Sequence, residues 1–321
     1  LYPPERLRKA EQALCTGAHL GCRLWFASGV PSPEQAPTPE AKHLAEQAQL
    51  QADRNRAYYA KNRALHRSVV LRLTEQIRNC ILVHQQPNAR IARSGNLDPE
   101  RVWRAPLLND SRVFRCAEEE NHPAFTVDLL LDGSASRLHC QEVLAAQGSI
   151  LAQSLTACGI PVRVSSFCSL RGYTVLRVLK SFSEKQLQGI NRYFASGWNR
   201  DGLALRAAGD LAAFDPGPAP RHLLILLTDA SPNDSRRVPP SPGEPLGCDY
   251  GGGFGVADAA AEVRTLRRKG LRVCAVFMGE DSAVPSAEQI YGKNFARIRG
   301  MDQLARAAGR LIQNEIRELG D

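Results

Sequence analysis

From about residue 122 onward, short apolar runs alternate with stretches of helical character. Phe125-Thr-Val-Asp-Leu-Leu-Leu-Asp132, Pro161 to Phe167, Tyr173 to Leu179, His222 to Thr228 and Leu271 to Phe277 read as strands. Between them, Arg137 to Cys158, Glu184 to Ala195, Asp201 to Phe214 and Val256 to Lys269 read as helices. A short last strand over Phe295 to Ile298 and a closing helix over Met301 to Leu319 complete the pattern. Strands separated by helices pair in parallel, because each return to the same sheet needs a crossover. Runs that are apolar on both faces need a layer of helices on each side. The predicted fold class is therefore α/β, a doubly wound and mostly parallel sheet. Ligands of such sheets bind beyond the carboxyl ends of the strands, so the residues just after each strand carry the functional argument.

The first 120 residues have a different grammar and are expected to form a helical N-terminal region (1–120) before the α/β domain (121–321). A first helix is predicted from Pro4 to about His19, followed by a loop with Pro31, Pro33, Pro37 and Pro39. Thr38-Pro39 has the form of an N-cap with proline at the first helical position. No Gly or Pro then interrupts the chain up to about Val83, and Leu65, Val69, Leu73, Ile77 and Ile81 draw one apolar stripe. Between Asp53 and Arg78, seven basic residues stand against two acidic ones. A solvated helix face is the simpler reading of that run. The alternative is a nucleic-acid or acidic partner, but only Tyr58 and Tyr59 interleave as stacking platforms.

The 321 residues carry a formal net charge of +8, with 43 % hydrophobic and 23 % charged residues, which is ordinary globular composition and argues against a largely disordered chain or a fibre. No apolar run approaches the roughly 20 residues of a membrane span, and no apolar signal core opens the sequence. Nine cysteines with no C-x-x-C pair argue against a disulfide framework or a structural zinc site. These features lead to the expectation of a cytoplasmic protein rather than an extracellular adhesin.

Three segments at the predicted ligand edge are rich in small oxygen donors. They are Asp132-Gly-Ser134-Ala-Ser136, Asn199-Arg-Asp201-Gly202 and Thr228-Asp229. Carboxylates and hydroxyls without Cys or His suit a hard cation, Mg2+ or Mn2+. Alternate residues of Asp-x-Ser-x-Ser can converge on one ion as the chain turns off its strand. The competing explanation is that the two serines only cap the next helix.

In this order and fold context, the three segments resemble the metal-ion-dependent adhesion site of a von Willebrand factor type A domain, a Rossmann-like fold. The resemblance covers roughly residues 122–321. Leu-Thr-Asp229-Ala-Ser-Pro232-Asn233-Asp234 and Asp249-Tyr250-Gly-Gly-Gly-Phe-Gly255-Val-Ala-Asp258, with Gly95-Asn-Leu97-Asp-Pro-Glu-Arg-Val-Trp103-Arg104 upstream, are similar to the nitric-oxide-reductase activation proteins and to the von Willebrand-type subunit of cobaltochelatase. The resemblance implies a non-enzymatic partner of a MoxR-type AAA+ ATPase that activates or assembles a target metalloenzyme. It implies that Ser134 and Ser136 bind the metal directly, and that Asp132 and Asp229 bind it directly or through water. Asn199 and Asp201 fall where that family usually has threonine, and Ala230 follows Asp229 where glycine is commoner. The proline-rich stretch Ser235 to Cys248 looks like a loop insertion beside the site, and Tyr250 is a candidate contact residue.

Other chemistries lack their marks. No Gly-x-x-x-x-Gly-Lys-[Ser/Thr] phosphate loop, His-Glu-x-x-His or Gly-x-Ser-x-Gly occurs. The seven histidines are scattered, and no general base stands beside the predicted metal edge. Gly251 to Gly255 reads as a flexible loop near that edge rather than a phosphate cradle.

Overall fold

The computed structural model describes residues 1–29, 33–84, 89–117, 125–240 and 245–320. The expected domain boundary at 120/121 lies outside the described residues.

In chain order, α1 (Pro4–Leu14) leads to β1 (Arg23–Ser28), α2 (Pro39–Lys61) and α3 (Arg63–His84). A small sheet of β2 (Ala89–Ala92), β3 (Asn96–Leu97) and β4 (Phe114–Ala117) follows, enclosing the short α4 (Arg104–Leu108). Then come β5 (Phe125–Asp132), α5 (Gln141–Ala157), β6 (Val162–Leu170), β7 (Tyr173–Lys180), α6 (Asp201–Phe214) and β8 (Arg221–Thr228). A two-stranded ribbon of β9 (Asp234–Val238) and β10 (Cys248–Tyr250) precedes α7 (Gly252–Arg268). Next are β11 (Leu271–Phe277), α8 (Val284–Tyr291), β12 (Phe295–Arg297) and α9 (Met301–Gly320).

The main sheet runs β1-β7-β6-β5-β8-β11-β12. Every pair is parallel except β6 with β7. That exception is a hairpin closed by Arg171 (φ 49°) and Gly172 (φ 80°), the left-handed pair that matches strand twist in a two-residue turn. The central strands are buried on both faces, as their unbroken apolar runs require. Val127, Leu129 and Leu131 point into one core with α3, α5 and α9 residues such as Leu73, Ile150 and Leu304. Leu130, Leu224 and Leu226 point into the other, with Leu203, Val263 and Ile290 of α6, α7 and α8.

Three expectations for this architecture are corrected. Residues 1–120 are not all helical, because Arg23–Ser28 joins the main sheet as an edge strand with Leu24 and Phe26 buried and Trp25 exposed. The long helix predicted from Pro39 is capped by the Thr38 hydroxyl, which accepts from Ala41 N at 3.2 Å, but it stops at Lys61 and restarts at Arg63. Residues 184–195 form only a 3-10 turn at Gln188–Arg192. Gly189 there packs so tightly on the Leu179 carbonyl that a Cβ would lie 2.0 Å from its oxygen.

The apolar stripe of α3 seats Val69, Leu73 and Ile77 in the core, while Leu65 is exposed. Polar contacts also tie α2 down. Asn55 Nδ2 donates to the carbonyls of Asn191 and Tyr193 at 2.8 and 2.9 Å. Cys15, Cys22, Cys80 and Cys274 are buried thiols outside any disulfide.

Candidate metal centre

The central strand of the sheet, β5, ends at Asp132, and its neighbour β8 ends at Thr228 just before Asp229. The chain leaves β5 toward β6 on one side and β8 lies on the other, so this is the edge where strand order reverses. Asp132 Oδ1 accepts from Ser134 N at 2.9 Å, which bends the chain off the strand. Gly133 is required here by close approach, since a Cβ would lie 2.8 Å from the Phe167 carbonyl oxygen. Ser134 and Ser136 then share a hydroxyl hydrogen bond of 2.8 Å, and Ser136 Oγ donates to Asp229 Oδ2 at 2.8 Å. Ser134, Ser136 and Asp229 thus form one connected chain of oxygens, and Asp132 joins it through the Ser134 backbone N–H. Tyr193, buried under the sheet end, donates its hydroxyl to the Asp132 carbonyl.

Asp201 opens α6 and is 1 % exposed. Neither of its carboxylate oxygens has a hydrogen-bond partner, and Asp132 Oδ2 also has none. Burial, then the charge of Asp229, pushes the Asp132 carboxyl up to about 7. Burial, then the charges of Asp132 and Asp229, holds Asp201 well above the usual carboxylate range, and the nearby Asn199 amide offsets this in part. Buried carboxylates without partners are costly unless they are protonated or meet a cation. Three orphaned oxygens beside two hydroxyls form a hard donor set that suits Mg2+ or Mn2+.

Asn199 is placed differently from Asp201. Its Nδ2 donates to the Ser231 carbonyl at 3.2 Å and its Oδ1 accepts from Asn233 N at 3.2 Å. Its backbone also pairs with Asn233 in both directions at 2.9 Å. The amide holds the loop after Asp229 and leaves Asp201 as the carboxylate of that segment. Ala230 follows in the left-handed region at φ 55°, which explains why glycine suits this position.

Tyr250 is not a contact residue. It is fully buried, accepts from Gly202 N at 3.0 Å and donates to Asp258 Oδ2 at 2.7 Å, so it fixes the start of α6. Residues 252–255, expected as a flexible loop, form the first turn of α7, and Gly255 packs on Pro232. The expected loop insertion is a β-ribbon pairing Asp234 with Tyr250 and Val238 with Cys248; residues 241–244 lie outside the described residues.

The sequence reading missed Arg137. It is 6 % exposed, and its Nη2 donates to Asp229 Oδ2. Motif position alone carries no signal for this, because Arg137 directly follows the last serine and reads as the start of a helix.

Among the described residues, one trio of His, Cys, Asp or Glu has ligand atoms all within 4.8 Å of one another, namely His19, Asp258 and Glu262. Asp132, Asp201 and Asp229 are more widely spread. The trio does not fit a cation. His19 Nδ1 accepts from Arg200 Nε at 3.1 Å, so the ring proton sits on Nε2, facing Asp258 Oδ2 at 3.4 Å. Burial, Arg206 and Arg200 push the imidazole down to about 3, and Arg206 pairs with Glu262 at 2.8 Å. Arg206 thus already pairs with Glu262, and the Tyr250 hydroxyl donates to Asp258.

No protein-family model matches the chain, and no curated protein matches it. Solved structures similar to it include the von Willebrand factor domain of the type V pili tip protein Mfa5 from Porphyromonas gingivalis, at 13 % identity and TM-score 0.43 over 61 % of this chain and 96 % of that one. A manganese-loaded TRAP protein of Plasmodium vivax matches at 14 % identity and TM-score 0.41 over 60 % and 74 %. The pilus adhesin SpaC of Lactobacillus rhamnosus GG matches at 14 % identity and TM-score 0.41 over 62 % of this chain and 31 % of that one. The fold class stated above rests on strand order and register. No described helix is long and apolar enough to cross a membrane.

Proposed function

We propose that this chain is a divalent-cation-dependent protein-binding module of the von Willebrand factor type A kind. The observation that carries the reading is the set of buried, unpartnered oxygens on Asp132 and Asp201, placed beside the Ser134–Ser136–Asp229 hydrogen-bond chain at the carboxyl edge of the sheet. In this reading Asp132, Ser134, Ser136, Asp201 and Asp229 hold Mg2+ or Mn2+, and Asn199 braces the loop that carries Asp229. The ion supplies an open position for an acidic group of a partner. The chain itself contributes carboxylates already placed and desolvated, which strengthens their pull on a cation.

The finer reading is that the module works in the cytoplasm as a non-enzymatic adaptor of a MoxR-type AAA+ ATPase and helps activate or assemble a metalloenzyme. It is supported by the sequence segments around Asp229 and Gly95 that resemble that group. Nucleic acid binding through the basic run of α2 and α3 has less support. Tyr59 packs on the His66 ring with centroids 4.7 Å apart and bonds to Gln153, so it is not a free stacking surface.

The test is calorimetric titration with Mn2+ of the wild-type chain and of Asp201→Ala and Asp132→Ala. The reading expects one ion per chain and a loss of at least tenfold in affinity for each variant. Unchanged affinity in both variants would sink it.

A further inference from the structure

The proposed metal centre already contains a cation of its own. Arg137 sits in the 3-10 turn Ala135–Cys140, between the Asp-x-Ser-x-Ser loop and α5, and is buried. Its Nη2 donates to Asp229 Oδ2, the same oxygen that accepts from Ser136 Oγ at 2.8 Å. Its Nε lies 3.4 Å from Ser136 Oγ, and its Nη1 donates to the Met278 carbonyl at 3.3 Å. Two of the proposed donors, the Ser136 hydroxyl and Asp229 Oδ2, are therefore engaged by a guanidinium. A divalent ion on those oxygens would stand a few ångströms from a second positive charge, and burial weakens the screening between them. Arg137 lines a cavity of about 580 Å3 together with Ser136, Asp229, His139, Glu280 and Arg299.

We infer that Arg137 is a built-in competitor for the divalent cation. It neutralises Asp229 when no ion is bound and raises the cation concentration the site requires. This inference rests on the proposed metal-dependent function and adds a regulatory residue to it. Asp132 Oδ2 and both carboxylate oxygens of Asp201 remain without a hydrogen-bond partner beside the pair, so one guanidinium does not satisfy the cluster and the demand for a cation persists.

The experiment is calorimetric titration with Mn2+ alone, at fixed ionic strength, of the wild-type chain and of Arg137→Met. Arg137→Gln, neutral but able to donate to the Met278 carbonyl, replaces it if the first variant does not give a native circular dichroism spectrum. The inference expects the neutral variant to bind Mn2+ about tenfold tighter or more, as follows from removing a close, poorly screened like charge. Binding by the variant with none measurable in the wild type supports it equally. Wild-type binding with an equal or weaker affinity in the variant overturns the inference and leaves the metal centre standing, with Arg137 then only a brace for Asp229. No binding to either chain overturns both.

Discussion

Asp132→Asn is expected to stabilise the metal-free protein at alkaline pH, although it removes a candidate ligand. Asp132 is fully buried, and its carboxyl is raised from 3.8 to about 7, chiefly by burial and then by the charge of Asp229. A carboxyl whose folded value lies above its unfolded value binds its proton more tightly when folded. Its presence costs nothing below the unfolded value, and stability falls as pH rises from about 3.8 toward 7. Above pH 7 the full penalty applies, about 4 kcal/mol at 1.36 kcal/mol per unit. At pH 5 about 2 kcal/mol applies. Asparagine carries no charge and keeps an oxygen for the Ser134 N–H. At roughly 2.1 cal/mol/K per residue the unfolding entropy converts these figures to a gain in Tm of about 6 °C at pH 8 and about 2 °C at pH 5. The assay is thermal unfolding in EDTA at both pH values, repeated with excess Mn2+. Excess Mn2+ should raise the wild-type Tm more than the variant's, narrowing or reversing the order. A variant less stable than wild type at pH 8 in EDTA, or a gain independent of pH, would refute the reasoning.

Three further outcomes follow from the packing. Arg200 is fully buried, bonds to Asp234 at 2.9 Å and to the Ala18 carbonyl, and stacks 4.2 Å from the Tyr250 ring. Arg200→Ala should cost about 3–5 kcal/mol in urea unfolding by leaving a buried carboxylate unpaired. Tyr250→Phe removes the acceptor for Gly202 N and should cost about 1–3 kcal/mol with the fold retained by circular dichroism. Leu73→Ala, in the seam of α3 with the sheet and α9, should cost about 2–5 kcal/mol, whereas Leu65→Ala on the exposed end of the same stripe should stay within about 0.5 kcal/mol.

The elements most legible in the sequence are those buried on both faces. Phe125–Asp132 and Arg221–Thr228 are central, and their apolar runs mark the ligand edge directly. The Asp-x-Ser-x-Ser loop was equally plain, because its donors are close in sequence. β1 was not legible, because its partner strand begins 150 residues later at Tyr173 and only one of its faces is buried. The break at Asn62 carries no Gly or Pro, and its neighbours on both sides favour helix. The engagement of Arg137 and the bracing bonds of Asn199 are not legible for a shared reason: they depend on loops after β11 and β8 that local spacing does not reveal. Tyr250 looked exposed within its glycine run and is buried, because β10 pairs back onto Asp234.

The central claim is that a divalent cation at the Asp132–Asp201–Asp229 edge governs protein binding. The most direct measurement is capture of partners from the native cell extract on the immobilised chain, with Mg2+ and with EDTA, alongside Asp229→Ala, read by mass spectrometry. The account predicts an AAA+ ATPase or its target recovered with Mg2+ and lost with EDTA and in the variant. Equal recovery under all three conditions would contradict it.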